Sequence, residues 1–367
     1  MAVDDSVLLR TEGHTGYITL NRPQALNALT HAMVRTVDRA LATWEQDPAV
    51  EVVVLTGAGE RGLCAGGDMR AVRADALAGG SASLDFWRDE YRLNARIARY
   101  SKPYVAVMDG IVMGGGVGVS AHGDVRIVTE RSKVAMPETG IGFVADVGGT
   151  HLLAQAPGEL GTHLALTGSA VGAADALLCG LADHFVPSRR LAELTASLAE
   201  LDVTEAVGRC AEPAPEGELA RYRTWIDDCY AAGSVEEILD RLLDRGDPAA
   251  KEAAETILSR SPTSLKVTLA ALRRARELGA LEPVLDQEYR VSCAAFSSPD
   301  MVEGVRAQVI DKDRRPRWSP AELAQVTDAD VARFFAPLHE RELGLGAARE
   351  PGIARGRGLG LAGGRGA

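Results

Sequence analysis

Two spacings of apolar residues run through this chain, and the change between them falls near residue 187. Before it, short apolar strands alternate with helical stretches. Residues 16–20 read as a strand closed by Asn21-Arg22-Pro23, and residues 50–55 as an unbroken apolar strand. An unbroken run is what a parallel strand buried on both faces looks like. Residues 103–108, 125–128 and 183–186 read as further strands. Between them, Met33, Val37, Leu41 and Trp44 mark a helix over 29–44. Phe86, Tyr91, Leu93 and Ile97 mark another over 84–100, and two more follow at 163–168 and 173–180. Residues 71–83, rich in Ala, Gly and Ser, read as a mobile connection. This alternation predicts an α/β architecture. After 187, helical spacing takes over, at 191–201, 219–232, 235–245, 249–259, 264–278, 283–296 and 301–310. Residues 344–367 are Gly, Ala and Arg without apolar periodicity, which predicts a disordered, solvated tail rather than a nucleic-acid arm. The expected organisation is a core over 1–190, a helical region over 191–344 and a tail over 345–367.

Composition narrows the function more than the fold. The 367 residues suffice for one large domain or two ordinary ones. A net charge of −11 argues against nucleic acid as the main partner, since phosphate backbones need a basic surface. A small anionic ligand is still admissible, because a helix N-terminus can hold one. The five cysteines are odd in number and show no C-x-x-C spacing, so reduced thiols are expected rather than disulfides or zinc. The start, Met-Ala-Val-Asp-Asp, has no apolar signal core, and no apolar run approaches the ~20 residues of a membrane span. A cytoplasmic protein that binds no membrane is the expectation.

The candidate chemistry lies in two glycine-rich turns, each between a strand and a helix. Residues 109–120 read D-G-I-V-M-G-G-G-V-G-V-S, and residues 64–68 read C-A-G-G-D. Such turns either permit close packing or aim bare backbone N–H groups at one oxygen, the requirement of an oxyanion hole. Two carboxylates follow. Glu138 either caps a helix or serves as a base or nucleophile, and Asp146 is either a solvated loop residue or a working polar group. Cys64 is either a nucleophile or a small buried side chain, with no histidine evidently paired to it. His122 reads as a structural residue at a helix end. The remaining histidines (14, 31, 151, 163, 184 and 339) lack metal-ligand spacing, so no metal is predicted.

These pieces resemble the crotonase (enoyl-CoA hydratase/isomerase) superfamily. The likeness rests on I-T-L-N-R-P-Q-A-L-N-A-L (18–29), V-V-V-L-T-G (52–57), C-A-G-G-D (64–68), K-P-Y-V-A-V-M-D-G-I-V-M-G-G-G (102–116) and A-M-P-E-T-G-I-G (135–142), with L-T-G and G-L-A-D-H between 166 and 184. It implies a spiral of β-β-α-like turns, an acyl-CoA-binding core over 1–190, and an acyl-CoA substrate. Two backbone N–H groups, of Gly67 and Gly115, would polarise the thioester carbonyl, with Gly66 and Gly114 beside the acyl group. Gln24, Ala25 and Asn27, together with Ala65 and Asp68, map to the segments that line the CoA. No separate cofactor is implied, since CoA arrives with the substrate. Oligomeric state stays open, although the C-terminal helices of this superfamily often build trimers.

Within the superfamily the carboxylates set the reaction. Enoyl-CoA hydratases carry a glutamate three residues after the oxyanion glycine; here that position is Gly118. Asp146 stands eight residues past Glu138, where hydratases tend to have glycine. This pattern is similar to the 3-hydroxyisobutyryl-CoA hydrolase branch, an activity of valine catabolism. Glu90-Tyr91-Arg92-Leu93-Asn94, Met113 to Ser120 with His122-Gly123, the run E-G-V-R-A-Q-V-I-D-K-D-R-R-P-R-W (303–318) and F-F-A-P-L (334–338) agree with it. The resemblance then covers about 5–344. It implies Glu138 as base or nucleophile, Asp146 as partner of the substrate 3-hydroxyl or of water, and Glu90 as a contact near the acyl group. Glu90 could equally lie on a wet helix face. One departure stands out. The branch's L-F-P-D-V-G-G is here Phe143-Val144-Ala145-Asp146-Val147-Gly148-Gly149, so an altered acyl pocket is expected. A single-carboxylate hydratase or isomerase is the rival enzyme reading, and a non-catalytic acyl-CoA binder the non-enzyme one.

Overall fold

The structure, a computed structural model, describes residues 5–346. Of the tail expected at 345–367, only Leu345 and Gly346 fall within it, and their amides donate to Asp286 at 2.8 Å. The other tail residues lie outside the described range.

The main sheet is formed by β1 (Val7–Glu12), β2 (Thr15–Leu20), β3 (Val52–Gly57), β4 (Tyr104–Met108), β6 (Val125–Val128) and β8 (His184–Phe185), in that order. The β1–β2 pair is antiparallel and every later pair parallel. A second, two-stranded parallel sheet pairs β5 (Ile111–Met113) with β7 (Lys133–Ala135). Strand β1 escapes the periodicity reading because it is an edge strand with only Val7 buried.

Helices α1 (His31–Gln46), α2 (Met69–Leu77), α3 (Ala82–Ala98), α4 (Gly115–Ser120), α5 (Gly149–Ala154), α6 (Leu160–Thr167) and α7 (Ala173–Leu178) accompany the strands. The segment expected to be mobile is therefore largely helical. Asp68 caps α2 by accepting from the Ala71 amide at 3.3 Å, and alanine is the strongest helix former. Only the short link at 78–81 fits the expectation.

The helical region contains α8 (Leu191–Leu198), α9 (Val203–Cys210), α10 (Leu219–Tyr230), α11 (Val235–Asp244), α12 (Pro248–Leu258), α13 (Pro262–Leu278), α14 (Leu281–Phe296), α15 (Pro299–Val305) and α16 (Asp328–Arg333). Its first two helices explain the unbroken apolar strands. Val53 and Leu55 face the main core, whereas Val52 and Val54 join Leu194, Leu198, Val203 and Val207 in a second core. Hydrogen bonds from Thr15 Oγ1 to Leu198 O (2.6 Å) and from Tyr17 Oη to Thr195 O (2.8 Å) pin α8 across the sheet. The change near residue 190 thus separates types of secondary structure but not hydrophobic cores. Leu198→Ala removes a fully buried side chain from this cover. It is expected to cost about 2–5 kcal/mol, read as a lower urea midpoint at unchanged m. A loss below about 1 kcal/mol would show that α8 is not a structural layer.

Further along, α13 packs on α5, α14 on α3 and α5, and α15 on α2. The C-terminal helices therefore press on the elements that carry the site. Among the described residues no helix is long and apolar enough to cross a membrane.

Candidate active site

The two glycine turns meet. Backbone bonds from Ala65 N to Leu26 O (3.0 Å), Leu29 N to Gly66 O (2.8 Å) and Asp68 N to Leu29 O (2.9 Å) fix the first turn against the 24–29 loop. The Met113 amide donates to Cys64 O at 2.9 Å and the Gly114 amide to Ala135 O at 3.2 Å, which fixes the second. A Cβ on Gly115 would stand 3.3 Å from Gly67 N and 2.6 Å from Glu90 Oε1, so only glycine permits this approach. Among the described residues neither the Gly67 nor the Gly115 amide has an acceptor. Both belong to one cavity of about 70 Å³, which is room for a small acyl group. Phe86, Trp87 and Phe143 form its apolar wall, with Met69 and Ile141 at its side. Trp87 and Phe143 stack with their centroids 5.2 Å apart.

Three carboxylates enter this cavity: Glu90 from α3, Glu138 from the 3-10 turn Glu138–Ile141, and Asp146 from the turn before α5. All three are nearly fully buried. Glu138 Oε1 lies 2.7 Å from where a Cβ on Gly114 would be, beside the second turn, while its Oε2 is buried without a partner. Glu90 Oε1 is likewise unpartnered. Burial, reinforced by the Asp146 charge, holds the pKa values of Glu138 and Glu90 well above the usual carboxylate range. Burial also pushes Asp146 up to about 7, against a lowering hydrogen bond from Tyr91 Oη at 2.6 Å. Unpartnered carboxylate oxygens bordering a cavity next to two free amides are costly, and a polar ligand would relieve that cost.

Gly118 is sealed. A Cβ there would come 2.7 Å from Val147 Cβ and 2.9 Å from Asn94 Nδ2, so the space a hydratase glutamate would need is already filled.

A family model described as enoyl-CoA hydratase/isomerase matches residues 15–335. The chain belongs to the enoyl-CoA hydratase/isomerase family. Its relatives include mitochondrial 3-hydroxyisobutyryl-CoA hydrolases. That of Gallus gallus is 43% identical, with 92% of this chain and 91% of that protein covered. That of Homo sapiens is 42% identical, with 92% and 90% covered. Among solved structures, one described as a carnitinyl-CoA dehydratase from Mycobacterium thermoresistibile is 54% identical. It superposes with a TM-score of 0.90 and covers 93% of this chain and 98% of that one. Another, described as an enoyl-CoA hydratase from Rhodobacter sphaeroides, is 44% identical with a TM-score of 0.87, covering 92% and 99%. The expected crotonase fold is therefore the fold of this chain.

As an enoyl-CoA hydratase/isomerase family member, the chain brings together Gly66, Gly67, Gly114, Gly115, Ala65, Glu90, Glu138 and Asp146 around one cavity. It does not bring all the residues mapped to the CoA path to that cavity. Asn27 is 1% exposed, and its side chain closes its own loop, accepting from Arg22 N (2.9 Å) and donating to Ala58 O (3.0 Å) and Gly62 O (3.1 Å). Its side chain is structural. Asp68 caps α2 and pairs with Arg22 at 3.1 Å. Gln24 is exposed and Ala25 half-buried, both in the 3-10 turn Pro23–Ala25 above the first glycine turn.

Four other readings are resolved by the structure. Cys64 is fully buried outside the cavity wall, and burial pushes its thiol up to about 12, so it is a packing residue and not a nucleophile. Glu90 does not lie on a wet face; it is 2% exposed and borders the cavity. Neither residue of the Val144-Ala145 departure lines the cavity. Val144 turns into a separate cluster with Val267, Val291 and Phe335, and Ala145 into the main core. His122 proves to be a structural support of the site: its Nε2–H donates to Val147 O at 2.7 Å, and burial lowers its pKa to about 4. Among the described residues no cluster of His, Cys, Asp or Glu is placed to hold a metal ion.

Sequence reasoning missed Tyr91, Glu288 and Ser292 as parts of the site. The signal was present. Leu281, Val284, Leu285, Glu288 and Ser292 follow helical spacing along one buried face of α14. A glutamate in that stripe needs partners inside the protein.

Proposed function

We propose that this chain hydrolyses a 3-hydroxyacyl-CoA thioester, 3-hydroxyisobutyryl-CoA or a close analogue, to the free acid and CoA. The observation that carries the reading is the pairing of Glu138 and Asp146 in one cavity with Gly118 closed to a second glutamate. The curated relatives named 3-hydroxyisobutyryl-CoA hydrolase support it. In this reading the Gly67 and Gly115 amides receive the thioester oxygen and stabilise the negative charge that develops on it. Glu138 either attacks the carbonyl, giving an anhydride that water then opens, or takes a proton from the attacking water. Both routes consume one water and release one CoA thiol. A raised pKa makes Glu138 a stronger base once ionised. Asp146 accepts a hydrogen bond from the substrate 3-hydroxyl. With that substrate, the reaction belongs to valine catabolism.

A second reading, hydration of an enoyl-CoA, has the descriptions of the two solved structures in its favour. The two are separated by following thiol release and enoyl absorbance side by side on 3-hydroxyisobutyryl-CoA and crotonyl-CoA. Thiol release from the former supports hydrolysis. Loss of enoyl absorbance without thiol release would replace it with hydration.

Asp146→Asn is expected to lower kcat/KM on 3-hydroxyisobutyryl-CoA by roughly 10²-fold and to erase the preference over isobutyryl-CoA, which lacks the hydroxyl. Equal losses on both esters would remove Asp146 from hydroxyl recognition.

A further inference from the structure

The Asp146 turn is held in a conformation it would not adopt alone. Val147 has φ 54, in the left-handed region, where a β-branched residue is a genuine outlier. Such strain persists only when the surroundings over-determine it. Here one side chain does most of the holding. Glu288 on α14 accepts three bonds: from Gly148 N at 2.6 Å, from Thr150 N at 3.0 Å and from Thr150 Oγ1 at 2.6 Å. The turn is closed further by Gly149 N donating to Asp146 O at 2.6 Å and by His122 donating to Val147 O.

One helical turn along, the same face of α14 reaches the aspartate's carboxylate. Ser292 and Tyr91 Oη are 2.6 Å apart, and Tyr91 Oη donates to Asp146 Oδ2. Tyrosine has one hydroxyl proton, given to Asp146, so Ser292 must donate to Tyr91. The order is Ser292 to Tyr91 to Asp146. Residues i and i+4 of a helix lie about 5–6 Å apart on one face. From one helix, Glu288 therefore holds the backbone at Gly148 and Thr150, just past Asp146, while Ser292, through Tyr91, braces the Asp146 side chain.

We propose that α14 is the positioning element for Asp146. Glu288 sets the turn that aims it, and Ser292, acting through Tyr91, holds its carboxylate in place and favours its ionised form. This rests on Asp146 being the working group of the proposed hydrolysis. None of the three supporting residues touches substrate in this account.

The groups facing Asp146 are Glu90 and Tyr91 from α3, Glu138 from the 3-10 turn, Glu288 from α14, and His122 behind Val147. Burial, opposed by its three donors, pushes Glu288 to about 8, and burial keeps His122 neutral. Burial opposes ionisation of Asp146, and the Tyr91 hydroxyl favours it. A donor to the charged form lowers an acid's pKa, so deleting the hydroxyl raises it.

The test uses the full chain with Tyr91→Phe, Ser292→Ala and Glu288→Gln. The acid limb of kcat/KM is expected to move to higher pH by roughly one unit in Tyr91→Phe and in the same direction in Ser292→Ala. Glu288→Gln turns one accepting oxygen into a donor that opposes an N–H. It is expected to lower kcat about tenfold with KM changed less than about threefold. A merely structural role would lower activity in all three with the acid limb unmoved, and that result overturns the proposal. The infrared carboxyl band of Asp146, assigned by its loss in Asp146→Asn, is titrated in the same proteins and needs no turnover. A midpoint unchanged in Tyr91→Phe overturns the positioning role even if the wild type releases no thiol. Absence of wild-type thiol release with a shifted midpoint overturns only the hydrolase reading.

Discussion

Glu138→Gln is expected to lower kcat for thiol release from 3-hydroxyisobutyryl-CoA by about 10³-fold while leaving the protein folded. The two side chains have nearly the same shape, and Glu138 is 6% exposed with Oε2 unpartnered, so the exchange leaves packing intact. What it removes is the ability to carry a charge. That charge is costly to form in the cavity, because burial and the Asp146 carboxylate both oppose it. The amide should therefore unfold at the same temperature as the wild type or a higher one, and thermal denaturation checks this. Lost rate with retained stability separates chemistry from folding. Activity within tenfold of wild type would sink both the base and the nucleophile assignments.

The second expected result concerns the residue that is absent. Gly118→Glu should destabilise the protein by at least about 3 kcal/mol and should not create hydration of crotonyl-CoA. The first Cβ already lies within 2.9 Å of Val147 Cβ and Asn94 Nδ2, and overpacking of this kind costs about 1–3 kcal/mol. A buried carboxylate without a partner adds to that. Urea unfolding measures the first part, and enoyl absorbance the second. A stable variant that hydrates crotonyl-CoA would mean that the chain differs from a hydratase by one side chain only. In the structure the difference is distributed. Asn94, Val147 and the strained turn beyond it occupy the volume, so the reaction type is written into the packing around the position as well as into the position itself.

Much of this was legible in the residues. The apolar runs at 52–57 and 104–108 gave parallel strands, and the C-A-G-G-D and M-G-G-G turns gave the converging amides. Their signals are local: spacing, glycine, and a carboxylate a few residues on. The errors share a physical cause, in that the deciding contacts come from far along the chain. Residues 71–83 look mobile by composition, yet the Asp68 cap and the packing of α15 make a helix of 69–77. The Val144-Ala145 change reads as a change of acyl pocket because the residues adjoin Phe143 and Asp146 in sequence. In space Val144 packs with Val267, Val291 and Phe335 and Ala145 enters the main core, which leaves the cavity wall to Phe143, Asp146 and Val147. Glu288 stands 142 residues beyond Asp146, and nothing near either residue announces the other.

The free amides of Gly67 and Gly115 belong to the main chain. Truncating a side chain cannot delete them, and no exchange of residue type other than proline removes a backbone N–H. A library of substitutions would therefore report these positions only as intolerant of bulk and would miss that they are donors. In the proposed reaction it would find the chemistry wholly in Glu138 and Asp146. There the carbonyl grip would be encoded by the path of the backbone, and the reaction by side chains that can be exchanged one at a time. A fold built this way could change what it does to a thioester without relearning how to hold one.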